Sequence, residues 1–549
     1  MTSLTDDYDK DSPVSDNTPT RNNKNDNNNS DNTNAAARTL SYTSSSYSAK
    51  QLDIDGVDPA YARKAHILND AIQDIGFGKY QMVLFCVCGF GWFADNALPL
   101  VTSLILTPVS NEFGQQAPFI TLAQNIGLLF GACFWGLGSD IIGRRWAFNL
   151  TFAFIGVFAT AAAGSPTFAS VGIFAALWST GVGGSLPVDS AIMVEFLPSS
   201  HQWLLTVLSI WWAFGQLLAS MIAWPLIGNL SCQDPEVSCT KSENMGWRYY
   251  LIAMGGITLI MFIIRFFIFN LRESPKYLMG LGKYEAAVEI IHTVAKFNGS
   301  ESDLTVEKLR EVDYHVNENS GTENDQNQQN ISALAGAKRT LSKFDSSHIR
   351  ALFSTPKLAY STSLIILIWA LIGLAFPLYN AFLPYLLSAR GVSMGDGSVY
   401  TTYRNAAIIA VTGVPGAIIG GLLVEVPRFG RRGALCISTL LTGVFLFAST
   451  TAKSSNQLLG WNCGYSVTSN TMYGVLYAYT PEILPTQHRG TGTGLAASAN
   501  RVLGIFAPVI ALKANLETSV PVYVSGALFL VTGMLMVALP YEPRGKASI

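Results

Sequence analysis

Three charged side chains stand inside stretches that are otherwise apolar. Asp95 ends the run Gly89-Phe-Gly-Trp92-Phe-Ala-Asp95, Asp189 follows Gly181-Val-Gly-Gly-Ser-Leu-Pro187-Val, and Arg501 follows Asn500. A charge at the middle of a bilayer costs at least about 2.5–3.5 kcal/mol on insertion scales, and it survives when paired or when it faces water. Two roles are open to each aspartate. It can bind a coupling proton or a cationic group of a solute, or it can make an ion pair or buried hydrogen bond between helices. Asp189 favours the first role, because the glycines and Pro187 before it loosen the backbone as a cavity-lining helix requires. Arg501 carries a planar fork suited to carboxylate or phosphate, so it either takes an anionic solute or pairs with one of the aspartates. Gln216 and Asn380 join the set, since an unpartnered amide in lipid is costly. Arg404, beside Asn405, reads as a cation snorkelling to the interface.

A second constellation occurs twice. Gly136-Leu-Gly-Ser-Asp140-Ile-Ile-Gly143-Arg144-Arg145 is echoed by Gly421-Leu-Leu-Val-Glu425-Val-Pro-Arg-Phe-Gly430-Arg431-Arg432. Glu195-Phe-Leu-Pro198 is echoed by Glu482-Ile-Leu-Pro485, with Arg489 just beyond. Asp140, Arg144, Arg145 and Glu195 can form one salt-bridge cluster, and Glu425, Arg431, Arg432, Glu482 and Arg489 a second. The motifs of catalysis are missing: there is no phosphate-binding loop, no HExxH and no GxSxG, and the six histidines lie outside the apolar stretches. The chain is therefore read as a non-enzyme without metal or cofactor.

These residues need helices that cross a membrane to hold them. Of 549 residues, 49% are hydrophobic and 13% charged, against about 25% charged in soluble domains. A bilayer core about 30 Å thick takes about 20 apolar residues in a helix. Twelve stretches qualify: 81–106, 118–137, 146–163, 168–196, 204–227 and 249–269, then 358–383, 406–424, 434–451, 458–479, 492–514 and 522–539. The expected fold is an all-α membrane protein of twelve transmembrane helices in two six-helix pseudo-repeats. The bundles span 80–270 and 358–540. Residues 1–79 read as a disordered tail, 271–357 as a linker with a short amphipathic helix over 284–297 and a disordered stretch, and 541–549 as a second tail. Lysines and arginines favour the side that holds both tails and the linker, so that side is expected to be cytoplasmic. The loop after the fifth helix then faces the oxidising side. Its Cys232 and Cys239 are a disulfide candidate, with two free thiols the alternative, and Asn229-Leu-Ser231 is a glycosylation candidate. A net charge of −2 without a basic block gives no sign of nucleic-acid binding.

On its Gly-x-x-x-Asp-x-x-Gly-Arg-Arg loop over 136–145, echoed in the second half with Glu for Asp and two extra residues, the chain resembles the major facilitator superfamily over about residues 78–545. Glu273-Ser-Pro-Lys276 and Pro481-Glu-Ile-Leu-Pro485 look like its sugar-porter branch. Gly89–Asp95, Gly183–Asp189 and Leu371-Ile-Gly-Leu-Ala-Phe-Pro377-Leu-Tyr-Asn380 are similar to the fungal carriers related to synaptic vesicle glycoprotein 2 and nicotinate permeases. The resemblance implies alternating access, with the loop clusters holding one state closed. Helix seven lacks the paired glutamines of hexose porters, and helix ten lacks their Gly-Pro-x-x-Trp. The expected function is therefore proton-coupled or facilitative transport of a small polar solute, an organic acid, vitamin or organic ion before a hexose. The expected setting is a monomer in the plasma membrane, with another secretory-pathway membrane or the vacuole as alternatives. The rival class is a membrane receptor or vesicle protein that keeps the fold without transporting.

Overall fold

The computed structural model describes residues 59–198, 201, 204–232, 239–269, 271–320, 349–350, 352–393, 398–426, 430–484, 489–513 and 518–542. These are helical with short connections, and no strand occurs among them. The first bundle is built from α2 (Lys79–Phe113), α3 (Pro118–Ile142), α4 (Arg144–Ala162), α5 (Phe168–Phe196), α7 (Ile210–Leu230) and α8 (Gly246–Ile263, continued by a π turn, Ile264–Phe269). The second is built from α12 (Pro356–Asn380), α14 (Val399–Glu425), α15 (Gly430–Ser449), α16 (Ser455–Glu482), α17 (Arg489–Lys513) and α18 (Val520–Val537). A four-residue turn, α6 (Leu204–Val207), precedes α7, and α13 (Leu383–Ser393) continues α12 after a break.

Packing repeats with the sequence. In the first bundle α2 lies on α7, α3 on α5, and α4 on α8; in the second α12 lies on α17, α14 on α16, and α15 on α18. Small residues let matching helices approach closely. A Cβ on Gly127 of α3 would stand 2.2 Å from the Ala176 carbonyl oxygen, and one on Gly416 of α14 would stand 2.3 Å from that of Val467. The halves meet along α7 with α14 and along α3 with α17, two contacts that the pseudo-repeat interchanges.

Eleven of the described helices are long and apolar enough to cross a membrane. The twelfth, α16, is long enough but too polar by composition. Many of its hydroxyls and amides are satisfied nearby: Asn462 donates to the Leu458 carbonyl (2.9 Å), Asn470 to Ser466 (2.9 Å), Thr480 to Leu476 (2.8 Å), and Ser466 to Ile409 on α14 (2.8 Å). With the backbone and side chains paired in this way, a polar helix can sit inside a bundle.

Two stretches expected to be disordered are helical. Pro59–Ile75 forms α1, inside the presumed tail 1–79, and Val306–Ser320 forms α11, inside the linker stretch read as disordered. With α9 (Pro275–Gly280) and α10 (Tyr284–Asn298) they make a collar against the first bundle. Leu68, Ala71, Ile72 and Ile75 of α1 share one buried cluster with Ile291, Val294, Leu304 and Leu309. Neither helix has an apolar stripe that is convincing alone; each buries its stripe against the others. Lys64 pairs with Asp313 and donates to the Tyr284 hydroxyl (2.6 Å). Residues 1–58, 321–348 and 543–549, the rest of the expected tails and disordered stretch, lie outside the described residues.

Asn298 ties the collar to α2. Its Oδ1 accepts from the Tyr80 backbone N–H (2.9 Å), and its Nδ2 donates to Gln81 Oε1 (2.8 Å). Gln81 Nε2 in turn donates to the Phe196 carbonyl at the end of α5 (3.3 Å). Asn298 thus serves an orphan donor of the first turn of α2 from a distant segment. Asn298→Ala should cost about 1–2 kcal/mol, read as a fall of a few degrees in the thermal unfolding temperature of the purified protein. An unchanged midpoint would mean that the collar does not support α2.

Candidate functional site

The inward face of α2 brings Asp95 toward the second half. Arg501 of α17 meets it there, with Nη2 2.9 Å from Asp95 Oδ1. The side chains keep 11% and 22% of their exposure, so the pair is partly accessible. Aromatic rings from both halves gather at the same level. Trp212 of α7 packs on Tyr477 of α16 at 4.5 Å between ring centroids, Trp369 of α12 packs on the same ring at 4.7 Å, and Trp92 lies 6.0 Å from it. Trp369 Nε1 donates to Thr480 (2.9 Å), and Asn500, beside Arg501, donates to the Trp369 carbonyl (3.1 Å). The result is a charged pair walled by aromatic faces.

Toward the end that carries Cys232 and Cys239 the halves are joined again. Ser103 donates to the Asn380 carbonyl (3.2 Å), Asn125 to the Gly504 carbonyl (3.3 Å), and the Tyr403 hydroxyl to the Leu104 carbonyl. Trp224 packs on Tyr400 at 5.8 Å. Cys232 and Cys239 form a disulfide, with Cα atoms 6.0 Å apart. Asn229 is exposed in the last turn of α7, where its amide donates to the Pro225 carbonyl (3.1 Å). Gln216 is half-buried on α7, one turn from Trp212, and makes no hydrogen bond among the described residues. Arg404 bonds its neighbour Asn405 (3.2 Å) and lies one turn from the exposed Tyr400 and Ile408, as an interfacial cation would.

Asp189 is placed differently from the expectation that it serves a proton or solute. It is fully buried within the first half and ion-paired to Arg265, which is also fully buried. Arg265 donates to the carbonyls of Phe148 (3.0 Å) and Val87 (2.8 Å), and its guanidinium lies 3.9 Å from the ring centroids of both Phe148 and Phe152. In this conformation Asp189 is a fastener for α2, α4, α5 and α8. The sequence reading passed over Arg265, although it is a charge in an apolar run, the same signal that marked Asp95. The π turn that carries it is a form of helix often found where a side chain must be re-aimed. A second buried pair, Arg248 with Glu112 (2.6 and 2.8 Å), closes the disulfide end of the same half, assisted by Trp247 (2.9 Å) and Asn244 (3.1 Å).

At the opposite end the duplicated motifs adopt one design twice. Gly143 has φ +100° and Gly430 has φ +59°, conformations that favour glycine. The helix that follows each glycine receives a carboxylate at its N-terminus. Glu273 accepts from the backbone N–H of Arg144 (2.9 Å) and Arg145 (3.3 Å), and Glu542 accepts from those of Arg431 and Arg432 (3.0 Å each). Such anions complement the positive end of the helix dipole. Arg144 reaches Glu195 at 3.6 Å and Ser139 at 2.9 Å, and Arg431 pairs with Glu482. Burial holds the Glu273 carboxyl above its usual range and the Glu195 charge adds to this, while the N–H groups oppose. The side chains of Asp140, Glu425 and Arg489 lie outside the described residues. Glu542 was missed, though Glu542-Pro-Arg544 after the last helix stands where Glu273-Ser-Pro-Lys276 stands after the sixth.

The Major Facilitator Superfamily model matches residues 82–508 and 405–548, and the chain belongs to that family. Among its relatives, MFS siderochrome iron transporter 1 of Ceriporiopsis subvermispora (strain B) is 55% identical over 497 residues, covering 90% of this chain and 93% of the relative. Major facilitator-type transporter hxnZ of Emericella nidulans is 39% identical over 502 residues, covering 89% of each chain. Among solved structures, the partially occluded inward-open xylose transporter XylE of E. coli superposes with a TM-score of 0.62 at 16% identity, covering 85% of this chain and 99% of that one; this likeness speaks to fold alone. The chain is an integral membrane transporter of a small solute.

Removing one partner of a buried pair leaves the other charge uncompensated, at a cost of about 3–5 kcal/mol. Arg265→Met should therefore lower the unfolding temperature much further than Arg404→Met, when the two variants are unfolded side by side in detergent. Equal shifts would remove the fastening role from Arg265.

Proposed function

We propose that the chain is a proton-coupled carrier of a small organic anion, an organic acid or acidic vitamin before a hexose, working by alternating access. The observation that carries this reading is the pairing of Asp95 with Arg501 across the halves, amid aromatic side chains. Asp95 occupies the guanidinium that an anionic solute needs. A proton on Asp95 frees Arg501, and the solute carboxylate takes the vacated place. Proton and anion then cross together, and the aromatic walls suit a planar organic body. Unpaired charge in the emptied site is costly, so the site is stable either ion-paired or loaded with both. Gln216 and Asn380 supply further polar contacts from α7 and α12.

Contacts join the halves toward the disulfide end. The duplicated arginine motifs are read as facing the cytoplasm with both termini, which sets the disulfide on the oxidising side. The membrane is the plasma membrane and the working unit a monomer. The arginine–glutamate clusters of the two motifs are the contacts that differ between the closed and open states at that end. The siderochrome name of one relative makes an iron–siderophore complex a ligand to include in the test.

The experiment measures thermal stabilisation of wild type, Asp95→Asn and Arg501→Met at two pH values. The ligands are monocarboxylates, nicotinate-type vitamins, iron–siderophore complexes, hexoses and organic cations. A ligand at about a hundred times its Kd stabilises by about 2.7 kcal/mol. Organic acids should stabilise wild type more at the lower pH, stabilise Asp95→Asn equally at both, and leave Arg501→Met unmoved. Stabilisation by hexoses or cations alone, or silence across all classes, would overturn the anion reading.

A further inference from the structure

Three separate segments that each carry a cation meet around Tyr80, where the first bundle joins the collar. Lys79 opens α2, Arg272 follows the π turn of α8, and Lys296 lies in the last turn of α10; all three are exposed. Tyr80 joins them. Its ring centroid lies 5.9 Å from that of Phe297, the neighbour of Lys296, and 5.6 Å from that of Phe269, while its hydroxyl lies close to the Arg272 backbone. None of the three cations forms an ion pair among the described residues, unlike Lys64, Arg144 and Arg310 close by in the same half and collar.

The surroundings mark the level of the membrane surface. Phe267 and Ile268 are 68% and 74% exposed in the last turn of α8, and Trp146, packed against Phe266 at 6.3 Å, is half-exposed. Aromatic residues on a lipid-facing rim mark the boundary between hydrocarbon and headgroups. Arg272 lies one turn past Phe267 and Ile268. Phe297 is 54% exposed beside Lys296, an apolar group at the height of the acyl-chain roots. Cations that form no ion pair among the described residues, next to exposed apolar side chains at this level, match a headgroup of negative charge with its chains below.

We propose that Lys79, Arg272 and Lys296 form a binding site for the headgroup of an anionic phospholipid in the leaflet at the arginine-motif end. Under the cytoplasmic orientation given above, this is the leaflet that carries anionic lipid. The lipid joins the end of α8, the start of α2 and the collar helix α10. It therefore fastens the collar to the moving bundle, beside the Asn298 contact.

The test uses the full chain in nanodiscs of phosphatidylcholine alone and of phosphatidylcholine with phosphatidylserine. Thermal unfolding is followed in each, with native mass spectrometry of the lipid retained on release. Wild type should unfold at higher temperature with phosphatidylserine and retain a bound phosphatidylserine. Each cation replaced by glutamine should weaken retention about fivefold, and the triple variant K79Q/R272Q/K296Q should lose the difference between the two bilayers. Lys296→Gln, on a solvent face of α10 outside the spans, keeps the test available should the triple variant fail to fold. Equal unfolding of wild type in both bilayers, or full retention by Lys296→Gln, would overturn the proposal. Neither result depends on the solute, so the transport reading stands or falls separately.

Discussion

The ion pair between Asp95 and Arg501 is made by helices from opposite halves, and it can hold only while those halves keep their relative position. That constraint separates it from the other buried pairs. Arg265 with Asp189 and Arg248 with Glu112 lie within the first bundle and persist through any rigid motion of that bundle. Under the proposed alternating access, a charge pair between the halves is instead made and broken by the motion. Its energy is available to a solute that can replace one partner. Low dielectric surroundings make such a replacement selective, because a neutral ligand would leave one charge unpaired.

Other contacts hold the helices within each half together. Asp189 and Arg265 fasten four helices of the first bundle around two phenylalanine rings. Glu273 and Glu542 cap the third helix of each half in the same geometry, so the motif loops behave as parts of their bundles. Many polar residues on α16 are tied back to nearby backbone, which lets a polar helix sit at the centre. Among the described residues the collar adds a further layer to the first half only, and this asymmetry between the halves comes from chain that lies outside the repeat.

Most of the membrane architecture could be read from the sequence because lipid imposes a simple demand. Each crossing needs about twenty apolar residues, and 168–196 was recovered to the residue as α5. The helices that depend on partners were not legible. Pro59–Ile75 and Val306–Ser320 carry a few apolar residues each, and their meaning emerges only when the stripes face one another. The site was legible in part. Asp95 and Arg501 were marked as charges in apolar runs, and their pairing was one of the options open to them. Arg265 gave the same signal and went unread, so the partner that makes the ion-pair option for Asp189 concrete was not named. Glu542 was hidden for another reason: a carboxylate at a helix N-terminus is a contact between distant segments, and spacing alone does not reveal it.

The most direct test is a double-mutant cycle on the central pair, with Asp95→Asn, Arg501→Gln and the double variant unfolded alongside wild type. A true pair that bridges the halves predicts a coupling energy of about 1–3 kcal/mol, with the double variant more stable than the sum of the single losses implies. Additive losses would show that the two charges do not support each other, and the account of a switch between the halves would fail.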